Sequence, residues 1–383
     1  MRIPKALAFY LPQFHPIPEN DQWWGKGFTE WRNVAKTRPR FRDHYQPHLP
    51  SDLGFYDLRL PEVQLAQAAL AQRYGIHGFC YYHYWFHGKR LLERPVEQLL
   101  HLGKPDFPFC LCWANESWNR RWDGFETEIL MEQRYSPADD ERHFQALLPA
   151  FKDPRYIKVD GRPMFLVYRA SNLPNAAATV TRWRELAEQA GLPGLCLANV
   201  ESAFPEHGLA PQHGFDAAVE FAPDWSKLPT PRGRLRRPRL ERLRQKLALG
   251  NPIYSRDRIF EYDRLVDAML AKPTPPYVRF PGVTPSWDNS ARRASDAVIL
   301  RGASPERYRD WLRATVERFE PPSPSEDFVF INAWNEWAEG NHLEPCVRYG
   351  HRYLEATRDG LAAVGNKLVF ARSKTPPLWK KSA

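Results

Sequence analysis

Two glutamates three residues apart, Glu336 and Glu339 in the segment WNEWAEG, are the pair in this chain best suited to chemistry. Cleavage of a glycosidic bond needs one carboxyl group to protonate the leaving oxygen and a second to act as base or nucleophile, and in retaining enzymes the two lie about 5 to 5.5 Å apart. On a straight strand, residues three apart point to opposite faces. If the chain turns helically after Asn335, the same spacing brings the β-carbons to about 5 to 6 Å, and a retaining geometry comes within reach. An ExxE by itself is common on surface turns. What lifts this one above the background is Trp334 and Trp337 beside it, at the end of an apolar run.

A sugar ring has apolar faces edged by hydroxyls, so its clefts combine flat aromatic platforms with carboxylate, amide and guanidinium hydrogen-bonders. Of fourteen tryptophans, eleven fall in expected strands or the loops after them. Trp24, Trp113, Trp118, Trp122, Trp287, Trp334 and Trp337 are the candidate platforms, with Asn115, Asp288 and Asn335 as hydrogen-bonders. Tyr10, Gln13 and His15, together with His83 and Tyr84, stand where they can bond a sugar or tune an acid. The plainer alternatives are that tryptophan fills a large core, and that Asp123, Arg120 and Arg121, like Asp288, Asn289 and Arg292, order loops by ion pairing.

The elements that must position these residues can be counted. Short runs rich in Val, Ile, Phe, Tyr and Leu, with helical patterns between them, mark β/α units feeding a parallel sheet. Strands are expected at Ala6–Pro12, Gly78–Trp85, Phe109–Ala114, Met164–Tyr168, Leu195–Val200, Ala217–Phe221, Tyr277–Thr284 and Phe328–Ala333. The clearest helices are Pro61–Tyr74, Pro137–Phe151, Ala176–Ala190, Arg239–Leu249, Pro305–Phe319 and Tyr349–Val364. Proline opens three of them, Ser136 and Ser304 precede two of those prolines as N-caps, and Gly75 and Gly191 close two others. Eight such units make a single α/β fold, a (β/α)8 TIM barrel over residues 1–365 with extended loops on its C-terminal face, followed by a basic tail, 366–383. In such barrels the chemistry collects at the C-terminal ends of the strands. Those ends here carry most of the Trp, Asn, Asp, Glu and His clusters. Asn115-Glu116 ends the third strand as the Asn-Glu acid/base does in many barrel glycosidases, so Glu116 is a third catalytic candidate and a rival to Glu339 for the acid.

Other classes lack their marks. There is no HExxH, P-loop lysine motif, GxGxxG or GxSxG, so zinc peptidase, P-loop NTPase, nicotinamide and α/β-hydrolase readings have no motif. Cys80, Cys110, Cys112 and Cys196 lie in expected strands and Cys346 in a polar stretch; none has metal or redox spacing, so no metal and no cofactor is expected, and the free thiols fit a reducing cytoplasm. The net charge of +9 is concentrated partly in PRGRLRRPRLERLRQK, eight cations against one acid. A solvated helix face explains such a run. Its sign also suits peripheral contact with an anionic membrane or a lipid-linked glycan through Arg232 to Lys246, whereas no nucleic-acid motif accompanies it. The N-terminus lacks the apolar core of a signal peptide, and no stretch is long enough to span a bilayer.

AFYLPQFHPIPENDQWWGKGFTEW, GFCYYHYWFHGKRLLERP, CWANESWNRRWDG and FINAWNEWAEGNHLEP together resemble the WbsX-type proteins, a family similar to glycoside hydrolase family 99, over about residues 6 to 358. The resemblance implies a β/α barrel. For the hydrolase relatives it implies endo-acting, retaining α-mannosidase chemistry, in which the first Glu of the pair removes the proton of the sugar 2-hydroxyl to give a 1,2-anhydro sugar and the second is acid/base on the leaving group. Those roles fall on Glu336 and Glu339. WbsX-type proteins are also associated with building bacterial surface polysaccharide, such as O-antigen, which implies an oligo- or polysaccharide substrate. Three activities follow from these readings: a retaining hydrolase or transglycosylase; a nucleotide-sugar-dependent glycosyltransferase of lipopolysaccharide biosynthesis, to which a Glu336–Glu344 E-x7-E spacing would belong; and a non-catalytic glycan binder.

Overall fold

A computed structural model of the chain describes residues 3–120, 125–231 and 257–372. The apolar runs form parallel strands: β1 (Lys5–Tyr10), β2 (Ile76–Phe86), β3 (Phe109–Trp113), β4 (Arg162–Val167), β5 (Cys196–Glu201), β6 (Ala217–Glu220), β7 in two pieces (Arg279–Phe280 and Gly282–Val283) and β8 (Phe328–Ile331). Strands β1 to β6 pair in chain order. The first piece of β7 pairs with β6, the second with β8, and β8 returns to β1, so the sheet closes into the expected barrel. The single run expected at Tyr277–Thr284 is thus broken, at Pro281, which has no N–H to give to a ladder. Gly282 is required beside the break: a β-carbon there would lie 1.9 Å from the carbonyl oxygen of Glu220.

The helices that cover the sheet follow their local signals. Ser136 and Ser304 accept the N–H groups of Asp139 and Arg307 at 3.2 and 3.3 Å, ahead of Pro137–Lys152 and Pro305–Arg318. Gly75 and Gly191, at φ +83° and +78°, end Pro61–Arg73 and Ala176–Gln189 in the left-handed region that glycine adopts without a β-carbon clash. The last helix, Arg352–Arg372, continues past residue 365. The expected helix Arg239–Leu249, with the rest of Arg232 to Lys246, lies outside the described residues, as does the tail beyond Arg372. All five cysteines are free and buried. Among the described residues no helix is long and apolar enough to cross a membrane.

Two features of the barrel position the site. Inside it, Phe9 of β1 packs on Tyr82 of β2, on Phe221 and on Phe330 of β8, with ring centroids 5.5 to 6.0 Å apart, and Tyr168 closes the layer against Phe221 at 5.6 Å. This aromatic layer fills the bore. Above it, the connection from β1 to Pro61–Arg73 carries two short helices, Pro18–Trp24 and Glu30–Lys36, while the chain after β8 folds into a tight hairpin, Asn335–Glu336 against Asn341–His342.

Candidate active site

A cavity of about 290 Å³ opens at the C-terminal ends of the strands, with Tyr82, Tyr168 and Phe221 of the aromatic layer at its base. Glu336 and Glu339 both line it. Glu336 ends the first hairpin strand, and the next three residues, Trp337–Glu339, form a single 3₁₀ turn. Because 3₁₀ geometry has three residues per turn, side chains at i and i+3 eclipse, so the turn expected after Asn335 exists in a tighter form than an α-helix. Gly340, at φ +56°, lets the chain reverse where a β-carbon would come within 2.9 Å of the Asp288 side chain.

One guanidinium ties the carboxylates together. Arg292 donates from one Nη to Glu336 Oε2 at 2.8 Å, pairs through the other with Glu339 Oε1 at 2.6 Å, and reaches Glu30 Oε2 through Nε at 3.2 Å. Glu30 begins the short helix Glu30–Lys36 and is fully buried. Three carboxylates therefore share one cation in a dry environment. Burial pushes the Glu336 carboxyl up to about 8, with Glu339 and Glu30 adding like-charge repulsion and Arg292 opposing them. Burial also raises Glu339, again against Arg292. The side chain of Glu336 is 7% exposed and that of Glu339 18%, so Glu339 is the more open to the cavity. Two carboxyls that share one guanidinium titrate as a pair, and a pair with raised affinity for protons suits proton transfer near neutral pH.

Glu116 lines the same cavity, but it is half-exposed and pairs with Arg169 Nε at 3.0 Å. Trp24, Trp118, Tyr84 and Trp287 form walls, together with Gln13. Trp118 meets Tyr84 edge-on at 5.1 Å and Trp23 at 5.8 Å, which leaves aromatic surface toward the opening.

Other expected site residues are elsewhere. His83 and Trp113 occupy strand positions adjacent to the cavity-lining Tyr82, Tyr84 and Ala114, and strand alternation turns them to the helix layer. There His83 Nε2 meets His143 Nε2 at 3.0 Å, with burial pushing its ring down to about 3, and Trp113 Nε1 donates to the Trp85 carbonyl. Tyr10 also faces the helices and donates to Gln67 Oε1 at 2.6 Å. His15 is buried away from the cavity, its ring pushed down to about 4 by desolvation. Asn115 and Asn335 are clamps. Asn115 exchanges hydrogen bonds with the Arg169 backbone, and Asn335 does the same with Leu11, tying the end of the chain after β8 to the end of β1. Trp334 packs in the core against Phe79, Trp337 stacks on His342 at 3.7 Å, and Asp288 accepts from His44 and Gln46 behind the wall. Trp122, Arg121 and Asp123 lie outside the described residues. Glu344 of the E-x7-E spacing does not reach the cavity: it accepts from Tyr56 Oη, Gln67 Nε2 and Trp337 Nε1 at 2.9, 2.6 and 2.6 Å.

Glu30, Asn20, Trp23, Tyr82 and Tyr168 were not among the expected site residues, and for Arg292 loop ordering had stood as the plainer alternative. Except for Tyr82, which is inside β2, they lie in or just after the strand ends; no spacing links them to the Glu pair.

The class that fold and site define is a glycoside hydrolase-like (β/α)8 barrel with its carboxylates clustered on the C-terminal face. The chain is similar to a solved glycoside hydrolase-like protein, with 14% identity, 94% of each chain covered and a TM-score of 0.58. It is likewise similar to the GH99 endo-α-mannosidase from Bacteroides thetaiotaomicron, with 14% identity, 96% of this chain and 98% of that one covered, and a TM-score of 0.51. At such identities the likeness concerns the fold. Residues 6–357 match the family described as Glycosyltransferase WbsX, and the chain belongs to that family, one of carbohydrate-active enzymes by its description. It is 48% identical over 356 residues to the uncharacterized protein WxcX of Xanthomonas campestris pv. campestris strain B100, covering 93% of this chain and 49% of that one, and equally to WxcX of strain ATCC 33913. The chain spans about half the length of the curated relatives it matches.

Proposed function

We propose that the chain cleaves or transfers glycosidic bonds of an oligo- or polysaccharide with retention, Glu336 acting as base and Glu339 as acid/base. The observation that carries this reading is the pair of raised carboxyls on one 3₁₀ turn, held by Arg292 at the mouth of an aromatic-lined cavity. Glu336 takes the proton of the sugar 2-hydroxyl as that oxygen closes on C1; Glu339 gives its proton to the departing glycosidic oxygen. Water or an acceptor hydroxyl then opens the 1,2-anhydro ring, returning one proton to Glu339 while the 2-oxygen regains the other. The enclosed base Glu336 has the basicity that a weakly acidic hydroxyl demands, and the more open Glu339 stands toward the side where a leaving group departs. A surface polysaccharide fits the family membership, and the cationic charge of the run Arg232 to Lys246 suits a lipid-linked form of it met on the cytoplasmic side.

The test is incubation with a panel of bacterial surface polysaccharide fragments, with product anomers followed by NMR. Retained configuration, and loss of turnover in Glu339→Gln, are expected; undiminished turnover in that variant would overturn the assignment. The family's description favours one second reading, transfer from a nucleotide sugar. Thermal stabilisation by nucleoside diphosphates would support it, although Glu344, half of the motif that suggested it, is committed elsewhere.

A further inference from the structure

Beside the carboxylate cavity lies a second one of about 260 Å³, which the reaction above does not use. Trp287 lines both and stands between them; Gly340, the residue after Glu339, lines the second. The two hollows therefore share a wall next to the catalytic turn, and Asp288 N–H donates to the Glu339 carbonyl at 2.6 Å within it.

Its chemistry differs from that of the first. Tyr45, Tyr349 and Tyr353 line it, and the guanidinium of Arg348 lies 4.6 Å over the ring of Tyr45 and 5.2 Å over that of Tyr349. A guanidinium stacked on aromatic faces is held in place with its N–H edge free for a planar oxyanion. Arg301 is a second lining cation. Among the described residues neither Arg301 nor Arg348 has a carboxylate partner. Of the two acidic residues, Asp288 is already engaged at 2.6 Å by His44 and held below the usual carboxylate range by that contact, while Asp43 is exposed. His48 and His342 face each other at 3.0 Å, and burial keeps both rings neutral, so they add polar surface without charge. The buried indole Nε1 of Trp287 has no hydrogen-bond partner among the described residues.

We infer that this second cavity binds an acidic sugar unit of the glycan, one bearing a carboxylate or a phosphate, and so sets which substrates reach the Glu pair. The inference rests on the reading of the first cavity as the reaction site, but the binding itself does not need the Glu pair. The two guanidinium groups take the oxyanion in charge-assisted bonds, and the rest of the lining packs around the ring.

The experiment is titration of the whole chain with glucuronic acid, glucose 1-phosphate and glucose, followed by NMR chemical-shift changes, in the wild type, in an Arg301→Ala, Arg348→Ala variant and in Glu339→Gln. Both arginines are exposed, so the fold is expected to persist, checked by an unchanged melting curve. Binding of one acid about tenfold tighter than glucose, lost about tenfold in the double arginine variant and kept in Glu339→Gln, is expected. Preference for the uronate assigns a polymer unit, and preference for the phosphate assigns a phosphorylated end. Equal binding of all three sugars, or acid binding that survives loss of both arginines, overturns the proposal. Persistence in Glu339→Gln separates its fate from that of the catalytic assignment.

Discussion

Within nine residues the chain after β8 presents three glutamates to two different surroundings. Glu336 and Glu339 face a cavity and share the cation of Arg292 with Glu30. Glu344 faces the opposite way, into a pocket of neutral donors from Tyr56, Gln67 and Trp337. Burial raises all three carboxyls, to about 8 at Glu336 and about 7 at Glu344. A shifted pKa therefore does not tell the two regions apart. What separates them is access and neighbours: the front pair opens to a sugar-sized space, while the rear carboxylate uses its oxygens to hold the layer on which the front turn rests. Trp337 belongs to both, since its backbone forms the 3₁₀ turn and its indole donates to Glu344.

That contrast can be broken by experiment, most sharply at the front. Glu339→Gln is expected to lower kcat by about a hundredfold to ten-thousandfold, the worth of a positioned acid/base, with an unchanged unfolding midpoint. A parallel loss of stability would mean that front and rear are one structural unit. At the rear the order reverses. Glu344→Ala leaves three buried donors without an acceptor and is expected to cost about 3 kcal/mol in chemical denaturation, with residual activity in proportion to the folded fraction; a stable but inactive variant would move Glu344 into the reaction.

The third test uses pH. The Glu336 carboxyl rises from an ordinary 4.5 to about 8 in the fold, so the folded state holds the proton more tightly. Its contribution to stability is full below pH 4.5 and is lost as pH rises toward 8. The difference in unfolding free energy between wild type and Glu336→Gln should therefore shift against the wild type between pH 5 and 8, and a pH-independent difference would show that Arg292 keeps Glu336 ionised throughout. The smallest expected effect is that of Tyr10→Phe, which removes the hydroxyl bonded to Gln67 at the far end of the rear network. About 1 kcal/mol of stability should go, with kcat untouched; a change in kcat would return Tyr10 to the site.

The sequence alone determined the barrel and put the Glu pair just after its last strand. Period, proline, glycine and serine caps are local signals, and they set seven of the eight strands and the starts and ends of the main helices; only at Pro281 did a missing N–H split a strand that composition drew as one run. The Glu pair was legible because its spacing needs just one turn of chain. Tertiary structure decided the rest. Whether Tyr84 or His83 meets the cavity depends on which face of β2 looks inward, a choice made by register against β1 and β3 and invisible in an unbroken run of aromatic residues. The Arg292 bridge brings together Glu30, Glu336 and Glu339 from loops far apart in the chain, and no short-range pattern records such a contact. Asn115, Asn335, Trp334 and Trp337 carry residue types suited to sugars, yet closure of the barrel made them clamps and packing, because at strand ends the same side chains that bind hydroxyls also satisfy the backbone of neighbouring loops.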